Sequence, residues 1–417
     1  MHRPAVSRRL AALAGVWAGT CAVALSAFAG SPGPAAWAGA ALPGPLASQG
    51  NTTAGFARAL GAWPFAFPRD HGEHPAFRQE WWYVTGNLRA ADGERFGFEL
   101  TFFRFALAPP EAPLTASAAG AGVAAGVSAW RAHEIYMAHF AVSDITQQRF
   151  RFAQKLERAA LGLAGARTDT LHVWIDDWSL ASEEVAGGAG AMSEDLATGG
   201  AAPHWRLYAA QEGYALGLEL EPRTAPVLNG DRGLSRKADE PSAASYYYSI
   251  PRLDAHGQLW RGGRALAVRG EAWLDREWGS GNLSARQVGW DWFGLQLDDG
   301  SALMFYALRR RDGSRDPHSA GTWMAASGET RALTDPEVAI TMTHEWRNSR
   351  GERYPAGWRI RITSLALELT VRPALADQEL RTTPRYWEGA VDVSGARAGR
   401  TLGGRGYVEL VGYAAEH

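Results

Sequence analysis

Two stretches of this chain carry the same succession of strand-like motifs, and that repetition limits the fold more than any other feature. The segment "WWYVTGNLRAADGERFGFELTFF" (81–103) matches "WDWFGLQLDDGSALMFYAL" (290–308): aromatic residues, a glycine, an alternating strand, an Asp-Gly turn and a second strand. "HWRLYAAQEGYALGLELEP" (204–222) matches "GWRIRITSLALELTVRP" (357–373), and "RGEAWLDREWG" (269–279) matches "GGRGYVELVGY" (403–413). The last match sets Trp273 over Tyr407 and Asp275 over Glu409. Within "RFGFELTFFRF" the residues Phe96, Phe98, Leu100 and Phe102 recur with period two, so they share one face of a strand. Helical periodicity over more than two turns is absent outside the first 30 residues. The fold class is therefore all-β, built as two copies of one unit, 68–284 and 285–417. The second copy lacks the long loops of the first. Short strands joined by Asp-Gly turns suit up-and-down barrels, which leave no exposed sheet edge. The first barrel, with the longer loops, is expected to hold the cavity. The second is expected to be filled by side chains such as Trp358, Leu367 and Leu369.

The 417 residues have a net charge of −2 and 46% hydrophobic content. No basic stripe with interleaved aromatics occurs, which argues against nucleic acid as a partner. Arg3, Arg8 and Arg9 precede an apolar stretch ending in "SAFAG", the pattern of a signal peptide over residues 1–30. A flexible Ala/Gly/Pro-rich lead-in is expected over 31–67. The protein is thus expected to be periplasmic or secreted. The single cysteine, Cys21, lies inside the leader, so the mature chain has no disulfide or thiol chemistry. Lys155 and Lys237 are the only lysines. "HGEH" (71–74) is a loop with two histidines. His133 and His139 in "HEIYMAH" share a strand face without the spacing of a helical zinc motif. No metal and no cofactor is expected. No G-x-S-x-G elbow supports a serine hydrolase.

Four of 18 tryptophans, Trp273, Trp278, Trp290 and Trp292, fall around "GEAWLDREWGSG" (270–281). A carboxyl at Asp275 set in such apolar surroundings would hold its proton near neutral pH and act as a general acid. The same acid could contact a ligand. It could also be a structural feature of the closing strand, paired with Arg276 or Arg405, since Glu409 repeats it. Glu80 opens the first copy, facing the barrel mouth or paired with Arg78 or Arg104. With Trp81, Trp82, Trp278, Trp290 and Trp292 it forms the expected ligand-binding set.

The motifs "HPAFRQEWWYVTGNL", "SYYYSIPRL", "GEAWLDREWGSG", "GWDWFGLQLDDGSALMFYALR" and "YWEGAVDVSG…GRGYVELVGY" resemble the AttH/CrtC family over roughly residues 70–417. That family has two tandem lipocalin-like β-barrels. It contains carotenoid 1,2-hydratases and exported proteins encoded beside ABC-transporter components. The resemblance implies that Asp275 matches the aspartic acid that protonates a terminal double bond in the hydratases. The His and Trp of the preceding strand and the Tyr two residues before the acid fall here on Tyr246, Tyr248 and Trp273. The candidate catalytic set is therefore Asp275, Tyr246, Tyr248 and Trp273, with the acid kept and the His lost. The expectation is an exported lipocalin-like protein that binds an apolar, lipid- or isoprenoid-like ligand. An envelope ABC transporter is the expected partner and a membrane surface a further contact. The alternative is a hydratase of the carotenoid 1,2-hydratase type, or a hydrolase-like enzyme, using Asp275 as acid.

Overall fold

The computed structural model describes residues 53–110, 133–183, 203–281 and 283–414. The leader expected over 1–30 and most of the loops expected at 109–128 and 183–203 lie outside the described residues. The described chain is almost entirely strand and turn, with three single-turn 3₁₀ segments.

The first sheet contains β1 (Gln79–Ala90), β2 (Arg95–Ala106), β3 (Glu134–Asp144), β4 (Arg149–Arg158), β5 (Ala164–Ala166), β6 (His172–Ile175) and β7 (Trp178–Ser182). It continues through β8 (Trp205–Gln211), β9 (Tyr214–Pro222), β10 (Val227–Leu228), β11 (Leu234–Arg236), β12 (Ala244–Arg261) and β13 (Arg264–Gly279). Its strand order is β4-β3-β2-β1-β13-β12-β9-β8-β7-β6-β5, and β3 and β4 come round to contact β6. This is an antiparallel meander rolled into a nearly closed barrel.

The second sheet contains β14 (Gln287–Leu297), β15 (Ala302–Arg310), β16 (Ala320–Met324), β17 (Thr330–Thr334) and β18 (Ala339–Met342). A separate small hairpin, β19 (Glu345–Arg347) and β20 (Arg353–Pro355), interrupts the chain before β21 (Trp358–Ile362), β22 (Leu367–Pro373), β23 (Glu379–Leu380), β24 (Tyr386–Arg397) and β25 (Arg400–Val411). The order β17-β16-β15-β14-β25-β24-β22-β21-β18 repeats the plan of the first sheet in a shorter, half-barrel form. The β1–β2 and β14–β15 hairpins turn at Asp92-Gly93 and Asp299-Gly300. In both turns the glycine has a positive φ, 93° and 85°, that a side chain rarely adopts.

The interiors are packed. Trp82, Phe98, Leu100, Phe102, Tyr246, Tyr248, Leu274 and Trp278 belong to the core of the first barrel. The described part of the lead-in, 53–67, packs against that core through Trp63, Phe65 and Phe67 instead of hanging free. Trp63 meets Tyr246 with ring centroids 5.0 Å apart, and Phe65 lies edge-on to Trp278 at 5.6 Å. These rings plug the first barrel. Trp358, Leu367 and Leu369 fill the second sheet's core.

The cavity consequently lies elsewhere. The first half of β13 alternates between buried and exposed, whereas Ala272 to Ser280 is buried without interruption. Burial of both faces means that something covers the outer wall of the barrel there. The cover is the second sheet: β1 contacts β25, β2 contacts β24 and β12 contacts β14. A separate apolar cluster fills this seam, including Tyr83, Tyr247, Trp273, Trp290, Trp292, Tyr306 and Tyr407. The expectation that the first barrel's interior holds the cavity is corrected accordingly, because the aromatic plug already occupies that interior.

Candidate active site

Strand alternation divides β13 into two populations. Trp273, Asp275 and Glu277 point into the seam, and Leu274, Arg276 and Trp278 point into the first barrel. The register of β12 on β13 sets Ser249 opposite Asp275, Tyr247 opposite Glu277 and Tyr246 opposite Trp278. Tyr247 and Ser249 therefore share the seam face with Asp275.

Asp275 is 4% exposed. Its Oδ1 accepts hydrogen bonds from the Ser249 hydroxyl at 2.6 Å and from Trp273 Nε1 at 2.7 Å. Its Oδ2 accepts from the Tyr247 hydroxyl at 2.6 Å. The donors are themselves held. Trp292 Nε1 donates to the Tyr247 oxygen at 3.0 Å. Asn229 donates to Ser249 at 2.9 Å, and Thr322 donates to Asn229 at 2.8 Å. Trp292 and Thr322 belong to the second sheet, so both halves orient this acid. Among the described residues Asp275 has no ion-pair partner. Burial pushes its carboxyl up to about 7, against the three hydrogen bonds that favour the anion. Burial, with Asp275 next, raises the Tyr247 phenol well above its usual value, so it stays a donor.

A cavity of about 610 Å³, counting its open side, lies against this carboxyl. Trp81, Trp290 and Trp292 line it together with Tyr83, Tyr306 and Leu308. Lys237 and Glu277 bring charge to its wall, and Glu409 a further carboxyl. Glu409 accepts a hydrogen bond from Trp290 Nε1 at 2.9 Å, and burial raises its carboxyl to about 7. Its place on β25, opposite Trp292 of β14, repeats that of Asp275 on β13 opposite Tyr83 of β1. Deeper in the seam Tyr83 donates to Glu388 at 2.7 Å, and Tyr386 donates to Glu99 at 2.9 Å. One oxygen of each of these two glutamates has no hydrogen-bond partner among the described residues. Burial raises the Glu99 carboxyl to about 8 and holds the Glu388 carboxyl well above its usual range. The seam thus presents carboxyls whose neutral forms burial favours, set among aromatic faces, a setting for proton transfer to and from a weakly polar molecule.

The expected residues divide between two places. Asp275, Trp273, Trp81, Trp290 and Trp292 come together in the seam. Tyr246 and Tyr248 do not meet Asp275, because the register turns them into the barrel, where they receive the aromatic plug. Glu80 lies in the barrel too, fully buried, and accepts from Arg104 at 2.6 Å and Arg276 at 2.9 Å. Burial would raise its pKa, but Arg104, His74 and Arg276 together hold it well below the usual carboxylate range. Trp82 carries the Arg276 guanidinium 3.9 Å above its ring, and Trp278 stacks on His74 at 3.7 Å. Glu80, Trp82 and Trp278 are parts of a closed ionic network and not of the cavity. The expected pairing of Asp275 with Arg276 is likewise absent, since the two side chains leave opposite faces of β13. Residues the sequence reasoning passed over are Tyr247, Ser249, Lys237, Tyr306 and Glu388. Their signal was period two itself: Tyr247 stands between two tyrosines already singled out, at a parity only the register could settle. No group of His, Cys, Asp and Glu among the described residues is arranged to hold a metal ion.

Two tandem barrel-type sheets with an acid-bearing cavity in their seam define a lipocalin-like two-barrel protein. The chain belongs to the AttH-like family, whose pattern matches residues 58–413. It is similar to an AttH protein of Nitrosomonas europaea, with 35% identity and a TM-score of 0.71, covering 86% of this chain and all of that one. The structure of kievitone hydratase from Nectria haematococca shares the fold at 16% identity and a TM-score of 0.60, covering 87% of this chain and 99% of the hydratase. The dehydratase AsqC of Emericella nidulans is 23% identical over 219 residues, which span 49% of this chain and 60% of the dehydratase.

Proposed function

We propose that the protein adds water to, or removes it from, a carbon–carbon double bond of an apolar substrate held in the seam, with Asp275 as the acid–base group. The observation that carries this reading is the Asp275 carboxyl: buried at a cavity wall, fixed by three donors, in no ion pair among the described residues and near 7. A group with that value is available in both protonation states at neutral pH. In hydration its proton passes to one alkene carbon, a water oxygen bonds to the other carbon, and the surplus proton of that water passes to the Glu409 carboxylate on the same cavity wall. Dehydration is the reverse. Glu409, from the other sheet, lines the same cavity and can hold the water. Trp81, Trp290 and Trp292 hold the apolar skeleton and exclude bulk solvent. The names of two similar proteins, a hydratase and a dehydratase, describe the two directions of this chemistry and support the reading.

The test is incubation with an apolar extract of the source cells in heavy-oxygen water, read by mass spectrometry. The native protein is expected to place the heavy oxygen in a hydrated product, and Asp275→Asn to fail. Equal labelling by the two proteins overturns the assignment. The aromatic walls also suit a carrier of an apolar ligand, working with an envelope ABC transporter after export through residues 1–30. Organic-solvent extraction of the purified protein separates that reading: a carrier yields one unchanged ligand, an enzyme a substrate–product pair.

A further inference from the structure

Lys237 is one of two lysines in the chain, and it is 4% exposed. It follows β11 directly and is fixed by its own backbone. Its N–H donates to Ala243 O at 2.7 Å, and its carbonyl accepts from Gln287 Nε2 at 2.7 Å. Its Nζ lies 3.9 Å from the centre of the Tyr306 ring and 3.4 Å from Glu277 Oε1. The Tyr306 hydroxyl is tied to Ser235 at 2.9 Å, which fixes the ring beneath the ammonium. The contact with Glu277 engages one of the three donors of the ammonium, and the others face the Tyr306 ring and the cavity. The side chain lines the same cavity as Asp275 and Glu409. Burial opposes its charge, but Glu277 and then Tyr306 outweigh burial and keep the amine protonated. A lysine so held is neither a nucleophile nor a base, because both roles need the free amine.

A permanent cation also bears on what the substrate can be. Protonating an isolated alkene creates a carbocation, and the Lys237 ammonium, only partly offset by Glu277 at 3.4 Å, opposes it in a low-dielectric pocket. A carboxyl near 7 is, moreover, a weak acid for an unactivated carbon. Both objections vanish if the double bond is conjugated to a carbonyl, since the charge that develops is then negative and sits on oxygen.

Building on the hydration–dehydration reading, we propose that Lys237 binds the carbonyl oxygen of the substrate. The substrate class is then an α,β-unsaturated carbonyl compound or its β-hydroxy counterpart. In the dehydrating direction the Asp275 carboxylate takes the proton from the carbon next to the carbonyl. That C–H electron pair forms the carbon–carbon double bond of an enolate whose oxygen Lys237 holds. The enolate pair then returns, the β-carbon–oxygen bond breaks, and the hydroxyl leaves as water with the proton of Glu409. One proton has moved from Glu409 to Asp275, and exchange with solvent resets the two acids.

The probe is benzylideneacetone, an aromatic enone, against β-ethylstyrene, which has the same skeleton without the carbonyl. Affinity is read by tryptophan fluorescence and carbonyl polarisation by the enone absorption band. The wild-type protein is expected to prefer the enone by roughly ten- to hundred-fold, as for a hydrogen bond from a charged donor, and to shift its band to the red. Lys237→Met should lose both preference and shift with an unchanged circular dichroism spectrum, and Lys237→Arg should recover part of each. Equal wild-type affinity for the two probes overturns the proposal, as does a Lys237→Met protein that keeps preference and shift. Asp275→Asn should keep both optical signatures while losing turnover. Turnover surviving in Asp275→Asn would remove the hydration reading without touching the carbonyl contact, so the two failures are distinct.

Discussion

Residues 275 and 276 are neighbours in sequence and opposites in chemistry. On the barrel face of β13, Arg276 joins Glu80, Arg104, His74 and Asp70 in a network where every buried charge meets a counter-charge. On the seam face, Asp275, Glu409, Glu388 and Glu99 are buried without an ion-pair partner among the described residues, and burial pushes each of them toward the neutral form. Burial is similar on the two sides. The difference is compensation. A compensated charge fixes a geometry, and breaking it leaves its partner stranded. An uncompensated carboxyl gives up or takes a proton near neutral pH, which is what acid–base chemistry requires.

The largest expected effect comes from testing the two faces against each other. Asp275→Asn should lower turnover by about 10²- to 10⁴-fold and leave the melting temperature close to native. Glu80→Gln should do the reverse, destabilising the fold by about 3–5 kcal/mol with turnover per folded molecule preserved. Rate assays and thermal melts on both variants decide this, and exchanged outcomes would break the comparison.

The pH dependence of melting should divide along the same line. The Asp70 carboxyl sits at about 2, because its bonds to His74 and Arg69 outweigh burial, and Glu80 also lies below its usual range. Their contribution is present above the unfolded value of about 4 and is lost as pH falls through the low folded values. Asp275 and Glu409 at about 7 and Glu99 at about 8 act in the other sense. Their contribution is complete below about 4 and is lost as pH rises toward those raised values. Melting temperature should therefore fall at both ends. Glu80→Gln should flatten the limb below about pH 4 and Glu99→Gln the limb that falls between about pH 4 and about 8.

Two smaller effects sharpen the contrast. Trp292→Phe removes the bond that holds Tyr247, which is worth about 1 kcal/mol; turnover should drop several-fold with modest loss of stability. His256→Ala breaks an exposed pair with Glu219 and should change stability by less than about 0.5 kcal/mol, as a calorimetric melt would show.

Much of the fold was legible because period two and the Asp-Gly turns are local. "RFGFELTFFRF" dictates which residues of β2 face inward, and the repeated motifs give the second sheet. The site was half legible. Asp275 and Trp273 share parity on one strand, so their company could be read directly. The tyrosines could not be placed, because "SYYYSI" has aromatics on both faces and both faces are buried. Where one face is wet, the hydrophobic pattern fixes register; where neither is, a one-residue slip leaves no trace in composition. The ionic partner of Glu80 was within reach as Arg104, but the second one, Arg276, arrives only with the β1–β13 pairing. The plug was missed because an Ala/Gly/Pro-rich stretch conceals Trp63, Phe65 and Phe67.

The crossing of bonds over the seam has a consequence for how such a chain can change. Tyr83 of the first copy holds Glu388 of the second, and Trp292 of the second steadies Tyr247 of the first. After a duplication, one copy is ordinarily free to drift while the other keeps working. Here neither copy has that freedom, for each is the scaffold of the other's acid. A substitution in either half is felt in its sibling, so the two must vary in step, and the pair descends as a single gene product whose unit of selection is the joint.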